Sequence, residues 1–433
     1  MSSNDLRIDR RQFLTGAAGA AGAAALGAWA PEALSRPGGP NSPIVTKATL
    51  GIQHVSVRDA INRPPSTSPD AIMGHLGGPT FPEDPTDLGP KVPLPGGYQE
   101  VFDYLGSVNI SGFEFFQYTQ FGSWTQIPAS DPRKTPSFQQ IRAWLDAAGM
   151  RSFGTHTGGV NLINAGSTRN TQIRAAGILG HKYLGTAGDP AGNSSLVDAW
   201  QTSAENFNTL GELMYREGLK IFFHPEGTWW QFFNDPDRPE MSRTHKIDYF
   251  AANTDPRYVL FEIDSFHMYN NRSARPDPSL PQNTPNTVCI TNPDGCWDAE
   301  SFMKRNWKRL MGYHIKDAIR NPSETRTNVG PYVQTQTRAG FPLAGGVDGV
   351  YSLEGQIGKG YPTDPDPNVI GFRRMFTEVR SYRAKGFKFH IIESDSGPGP
   401  TPASGQPTND AIHDPGRSLR LAKISARNLL GLK

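Results

Sequence analysis

The stretch that decides the fold is SFQQIRAWLDAAGMRSFGTH, residues 137–156. Ile141, Trp144 and Leu145 recur at helical spacing, Gly149 follows as a stop, and a short apolar run leads into His156. Thr135 and Pro136, just upstream, are read as an N-cap and a first-turn proline. The order helix, glycine, strand returns in TQIRAAGILGHKYLGTA (171–187), in ENFNTLGELMYREGLKIFFHPE (205–226) and in FRRMFTEVRSYRAKGFKFHIIESD (372–395). Glycine tolerates the left-handed conformation that ends a helix, so each repeat reads as one αβ junction. Strands that alternate with helices pair in parallel through right-handed crossovers.

Eight strands are predicted, near residues 48–54, 110–117, 151–156, 182–186, 219–224, 257–264, 310–315 and 387–393. Eight such units close into a (β/α)8 TIM barrel. An open doubly wound sheet is the alternative, and no glycine-rich phosphate fingerprint supports it. The repeat is interrupted by a Pro/Gly-rich stretch at 60–97, after the first strand, and by a second at 269–297, after the sixth. Both follow the C-terminal end of a strand, where long loops act as lids or binding loops.

The first forty residues do not follow the repeat. RIDRRQFLTGAAGAAGAAALGAWAPEAL (7–34) places Arg10 and Arg11 before a weakly apolar Ala/Gly run that ends in Ala28-Trp29-Ala30. This is similar to a twin-arginine export signal. The run is too short and too rich in glycine to cross a membrane. The expected organisation is a signal peptide at 1–30, a linker at 31–47 and one barrel domain at 48–433, in a protein exported to the periplasm or the extracellular space. Cys289 and Cys296 fall in the polar stretch TVCITNPDGC (287–296), where either a local disulfide or two free thiols fits. The 43 basic and 41 acidic residues nearly cancel, and no Lys/Arg run marks a nucleic-acid footprint.

The chemistry gathers where the later strands stop. The fifth ends in His224-Pro225-Glu226, and the sixth carries Glu262, Asp264 and His267. The seventh holds His314, Lys316 and Asp317, and the eighth Glu393 and Asp395. Alternation puts 224 with 226, 262 with 264, 314 with 316 and 393 with 395 on shared faces. Ionisable groups in register at this rim of a barrel read as catalytic. Mixed oxygen and imidazole donors suit one divalent ion, Mn, Co or Mg before Zn, since no thiolate is at hand.

These segments resemble the sugar phosphate isomerase/epimerase family, the xylose isomerase-like TIM barrels. The resemblance runs over about 48–430 and rests on LGIQHVSVRDA (50–60), SGFEFFQ (111–117), TPSFQQIRAWLDAAGM (135–150), FFHPEG (222–227), FEIDSFH (261–267), GYHIKDA (312–318), IIESD (391–395) and the tail DPGRSLRLAKISARNLLGL (414–432). It implies a metal held by Glu226 or His224, then Asp264, His314 and Glu393. Glu226 is taken as the ligand, with His224 touching substrate. The family often has His-Asn-His and a later Glu at the fifth strand; here Glu226 and Trp229 stand in those places, and Gln117 replaces a strand-two Glu.

The resemblance also implies α-proton abstraction from a carbohydrate by Glu226 and Glu393, giving isomerisation or epimerisation. A keto-sugar lyase or dehydratase begins with the same step and is the alternative. His267 and Lys316 resemble substrate-oxygen contacts, His156 joins them, and Trp229 and Trp230 either stack on a sugar or seal the rim. Endonuclease IV shares this barrel, but its site uses three metals and extra histidines, and the charge pattern here gives no DNA footprint. The expected partner is a small carbohydrate, with no nucleic acid and no stable membrane anchor; a homo-oligomer stays open.

Overall fold

The computed structural model describes residues 45–76, 89–116, 136–186, 188, 191, 194–265, 267, 299–316, 319–320, 332–333, 387–393 and 416–432. The expected export signal at 1–30, the stretch 269–297 with both cysteines, Gln117, Asp317, Asp395 and the helix expected before Gly386 lie outside the described residues.

Eight strands form a closed, all-parallel barrel. They are β1 (Leu50–Gln53), β2 (Gly112–Phe116), β3 (Arg151–His156), β4 (Tyr183–Thr186), β5 (Lys220–Phe223), β6 (Val259–Asp264), β7 (Leu310–Ile315) and β8 (Phe389–Ile392). Each pairs with the next, and β8 pairs back onto β1, Leu50 facing His390. Within 60–97 the described part forms a short antiparallel pair, Met73–His75 with Lys91–Pro93.

The helices end where the glycines stand. Gly149, Gly180 and Gly218 have φ of 67°, 79° and 78°, the left-handed region a side chain resists. Helix α1 (Gly97–Ser107) precedes β2, and α2 (Phe138–Ala147) precedes β3. The cap of α2 differs from the sequence expectation. Ser137, not Thr135, is the N-cap, because its hydroxyl accepts from Gln140 N while Gln140 Oε1 accepts from Ser137 N. Helices α3 (Gly166–Leu179) and α4 (Val197–Arg216) follow, then α5 (Lys246–Asn253), α6 (Ala299–Arg305) and α7 (Arg417–Leu430). Their apolar faces and the outward strand residues make one continuous core, including Trp200, Phe207, Phe223 and Phe250.

Inside the barrel the lower half is filled by apolar groups. Phe222, Leu260 and Met311 form a cluster of their own, packed on Tyr183 and Phe389. Phe153 stacks on Phe389 with ring centroids 4.0 Å apart. Two bulges set this arrangement. The β2–β3 register jumps from Phe113↔Ser152 to Glu114↔Gly154, and the β6–β7 register from Phe261↔Leu310 to Glu262↔Gly312. Phe153 and Met311 are the extra residues, and each changes the phase of its strand.

Glycine makes room for the floor. A Cβ on Gly112 would stand 2.0 Å from Phe153 Cζ, and one on Gly185 would stand 2.1 Å from the Phe222 ring. Gly112→Ala is therefore expected to cost about 1–3 kcal/mol by overpacking. The urea midpoint reads this directly, and an unchanged midpoint would contradict the packing described. The filled floor leaves the inward positions above it for polar groups.

Candidate functional site

Above the apolar floor, ionisable side chains fill the barrel. Glu114 comes from β2, His156 from the end of β3, Glu262 and Asp264 from β6, and His314 from β7. His224, Lys316 and Glu393 each follow the last residue of β5, β7 and β8. All eight are buried. Buried charges need partners or a metal, so this density is not explained by packing.

The groups lie in two tiers. In the lower, Glu262 Oε2 is 3.0 Å from His156 Nε2, 3.1 Å from His224 Nδ1 and 3.2 Å from His314 Nε2. Glu114 Oε2 is 2.7 Å from His314 Nε2 and 3.4 Å from His156 Nε2. In the upper tier, His314 Nδ1 is hydrogen-bonded to Glu393 Oε2, and Lys316 Nζ is 3.4 Å from both Asp264 Oδ2 and Glu393 Oε1. His224 Nε2 is 3.9 Å from Asp264 Oδ2. Asp264 Oδ1 accepts from His267 N, which ties the turn after β6 to the site.

The electrostatics follow from this crowding. Burial opposes a charge on His156, but Glu114 and Glu262 outweigh it and push its pKa up to about 10. Burial likewise opposes a charge on His314, and the carboxylates of Glu262, Glu393 and Glu114 hold its pKa well above the usual imidazole value. Burial disfavours the Glu262 carboxylate, yet His314, His156 and His224 hold it well below the ordinary range.

Two sets of donors could each take an ion: His156, His224, Glu262 and His314, and His224, Asp264, His314 and Glu393. Within each set the ligand atoms lie within 4.8 Å of one another. The second set, at the strand ends, combines two imidazoles with two carboxylates, a donor balance suited to a divalent cation. Its Asp264 Oδ2 is buried and makes no hydrogen bond, as an oxygen that serves an ion would be.

The predicted residues divide. Asp264, His314 and Glu393 come together, with Lys316 against two of them. His224 stands in this group and Glu226 does not. Strand β5 ends at Phe223, and Pro225 offers no amide proton to carry the ladder on, so the alternation that joined 224 to 226 lapses. The Glu226 side chain is 38 % exposed, with Oε1 3.5 Å from His224 Nε2 and 3.7 Å from His267 Nε2. His156 lies in the lower tier, beneath the groups expected to meet substrate. Trp229 is 1 % exposed and stacks on Phe223 at 4.1 Å, and Trp230 is buried with its Nε1 donating to Pro225 O. Both indoles are part of the core, and Phe223 covers one face of Trp229.

Glu114 escapes the sequence reading, and Glu262 is there given a face but no role. The usable signal is a carboxylate inside an otherwise apolar strand, GFEFF and VLFEID. Among the described residues no helix is long and apolar enough to cross a membrane.

Two curated relatives, inosose dehydratases from strains of Klebsiella pneumoniae, are 26 % identical over 202 residues, which is 46 % of this chain and 49 % of theirs. The chain thus spans about half the length of the curated relatives it matches. Among solved structures, a sugar phosphate isomerase/epimerase from Parabacteroides distasonis is 13 % identical with a TM-score of 0.49, covering 90 % of this chain and 96 % of its own. The 3-keto-D-glucoside 4-epimerase of E. coli is 13 % identical with a TM-score of 0.38, covering 82 % and 98 %. The family model described as xylose isomerase-like TIM barrel matches residues 103–407, well over half of the 433-residue chain. With its closed parallel barrel, the chain belongs to the xylose isomerase-like TIM barrel family.

Proposed function

We propose that the protein is a metal-dependent isomerase or epimerase acting on a carbohydrate by removal of the proton beside a carbonyl. The observation that carries this is the buried set His224, Asp264, His314 and Glu393 at the strand ends, with Lys316 between two of its carboxylates. These four residues would hold one divalent ion. Two imidazoles in the set favour Mn or Co over Mg, which prefers oxygen. When bound, such an ion supplies Lewis-acid polarisation of a carbonyl and its neighbouring hydroxyl.

The chain's own groups do the rest. Glu226, partly exposed at the rim, is the carboxylate placed to take a proton from a bound substrate. Glu393, whose Oε1 faces Lys316, is the candidate to deliver a proton on the other side. Lys316 is 1 % exposed, and its ammonium can bind a substrate oxygen and the charge that develops there. His267, half-buried beside Glu226, is placed to bind a substrate hydroxyl. The twin-arginine start at Arg10 and Arg11 supports export of the folded protein. Outside the cytoplasm a neutral keto-sugar or glycoside suits better than a free sugar phosphate.

Incubation with keto-sugars and keto-glycosides in D2O tests the reading. Deuterium is expected at the carbon beside the carbonyl in recovered substrate and product, and a Glu226→Gln variant should lose this by about 100-fold or more. A second reading, a lyase, is favoured by the likeness to inosose dehydratases. It shares the exchange but adds loss of water or of the aglycone, which an isomerase lacks. No exchange over a broad panel by metal-loaded protein would sink both.

A further inference from the structure

The lower tier of charges takes no part in the proton transfer proposed above, yet it touches both histidines of the strand-end set. Glu262 is 0 % exposed and stands at its centre. Its Oε2 faces His224 Nδ1 at 3.1 Å and His314 Nε2 at 3.2 Å. The opposite nitrogens of the same rings face the upper tier, Nε2 of His224 towards Asp264 and Nδ1 of His314 towards Glu393. A neutral imidazole that gives one nitrogen to a metal carries its proton on the other, and the acceptor of that proton decides which is which.

We propose that Glu262 is the positioning residue between the two histidine ligands: its buried Oε2 accepts the inner N–H of His224 and, together with Glu114 Oε2 at 2.7 Å, that of His314, and so helps fix the tautomer that turns His224 Nε2 and His314 Nδ1 to the ion. The inference rests on the metal reading given above. Three features around Glu262 support it. Gly312 lies opposite, where a Cβ would stand 2.7 Å from Glu262 Oε1, so the carboxylate as placed occupies space that glycine leaves free. The bulge at Met311 brings β7 into the register that pairs Glu262 with Gly312 and Asp264 with His314. His156 Nε2, 3.0 Å from Glu262 Oε2 and 3.4 Å from Glu114 Oε2, holds the two buried carboxylates side by side. An apolar residue would suffice for packing at this position, as Leu260 does one layer down.

The test compares the full-length wild type with Glu262→Leu and Glu262→Gln. Co(II) affinity is measured by chelator competition, and Cu(II) electron spin echo modulation counts bound imidazoles and reads the field at their remote nitrogens. The expected wild type takes one ion with two imidazoles. Glu262→Leu should keep that stoichiometry, bind about 10- to 100-fold more weakly and shift the remote-nitrogen signal. Glu262→Gln, which keeps one acceptor oxygen, should fall between. Wild-type affinity with an unshifted remote-nitrogen signal in Glu262→Leu would overturn the proposal. So would three imidazoles in the wild type with loss of the ion in both variants, since the ion would then sit on the inner nitrogens and Glu262 would be its ligand. Should the leucine variant not fold, the glutamine variant decides: weaker binding with a shifted signal supports the role, and no change in either overturns it. A folded wild type that takes up no divalent ion overturns the functional reading itself, and this proposal with it.

Discussion

Replacing His314 with alanine is expected to release the divalent ion and lower turnover about 1,000- to 10,000-fold, roughly 4–5.5 kcal/mol of lost transition-state stabilisation. The size follows from its place at the junction of the two tiers. Its Nδ1 meets Glu393, and its Nε2 meets Glu114 at 2.7 Å and Glu262 at 3.2 Å. Alanine removes a proposed ligand and leaves three carboxylates without that partner, two of them fully buried. Burying unpaired charge costs several kcal/mol per ion, so the variant should take up protons and lose thermal stability as well. His314→Gln restores volume and hydrogen bonding without the imidazole, and should recover stability but not the ion. Metal content, turnover and the melting temperature of both variants check this. Full metal content with turnover within about tenfold of wild type would contradict the site.

The second large effect is acid lability. His54, His181 and His245 are buried, and burial lowers each pKa from 6.5 to about 3. For His181 burial is the whole cause, and its Nδ1 lies 2.6 Å from the Ser152 hydroxyl. His54 is lowered further by Arg58, and in His245 the burial effect outweighs Asp248. The folded state keeps these rings neutral while the unfolded chain protonates them below pH 6.5, so the unfolded state binds more protons between pH 6.5 and 3. Stability is therefore full above pH 6.5 and falls as the pH drops towards 3.

At pH 5 the loss is about 2 kcal/mol per histidine, or about 6 kcal/mol for the three, against a usual total of about 5–15 kcal/mol. His156 is held up to about 10 by its carboxylates, so it stays charged in the folded state while the unfolded ring protonates; it weakly opposes the slope near pH 7 to 6 and adds little below that. Urea midpoints of the metal-free protein at pH 7, 6 and 5 should fall steeply, and a His181→Asn variant should lose about a third of the slope. A flat profile from pH 7 to 5 would show that these rings are not buried neutral.

The barrel was legible because helix stops are local. Gly149, Gly180 and Gly218 have the positive φ that their place after a helix implies, and the strands begin two or three residues later. The strand-end placement of Asp264, His314 and Glu393 was legible as well, since each sits at or next to the end of its strand. What alternation does not give is phase. Bulges at Phe153 and Met311 shift two strands by one residue, and no local pattern announces them. The rule also lapses beyond a strand end, which is why Glu226 was paired with His224 on one face although β5 stops at Phe223. Glu114 and Glu262 lie among apolar neighbours and only acquire partners when β2, β3, β6 and β7 meet across the barrel. Such contacts join residues as far apart as 114 and 314, and local sequence carries no record of them.

The most direct test of the central claim is anomalous diffraction from crystals of the full-length protein grown with Mn(II) or Co(II). One strong peak is expected among His224 Nε2, Asp264, His314 Nδ1 and Glu393, with Glu226 outside the coordination shell. A peak bounded instead by His156, Glu262 and the inner nitrogens of His224 and His314, or no peak in crystals of protein incubated with excess metal, would contradict the account.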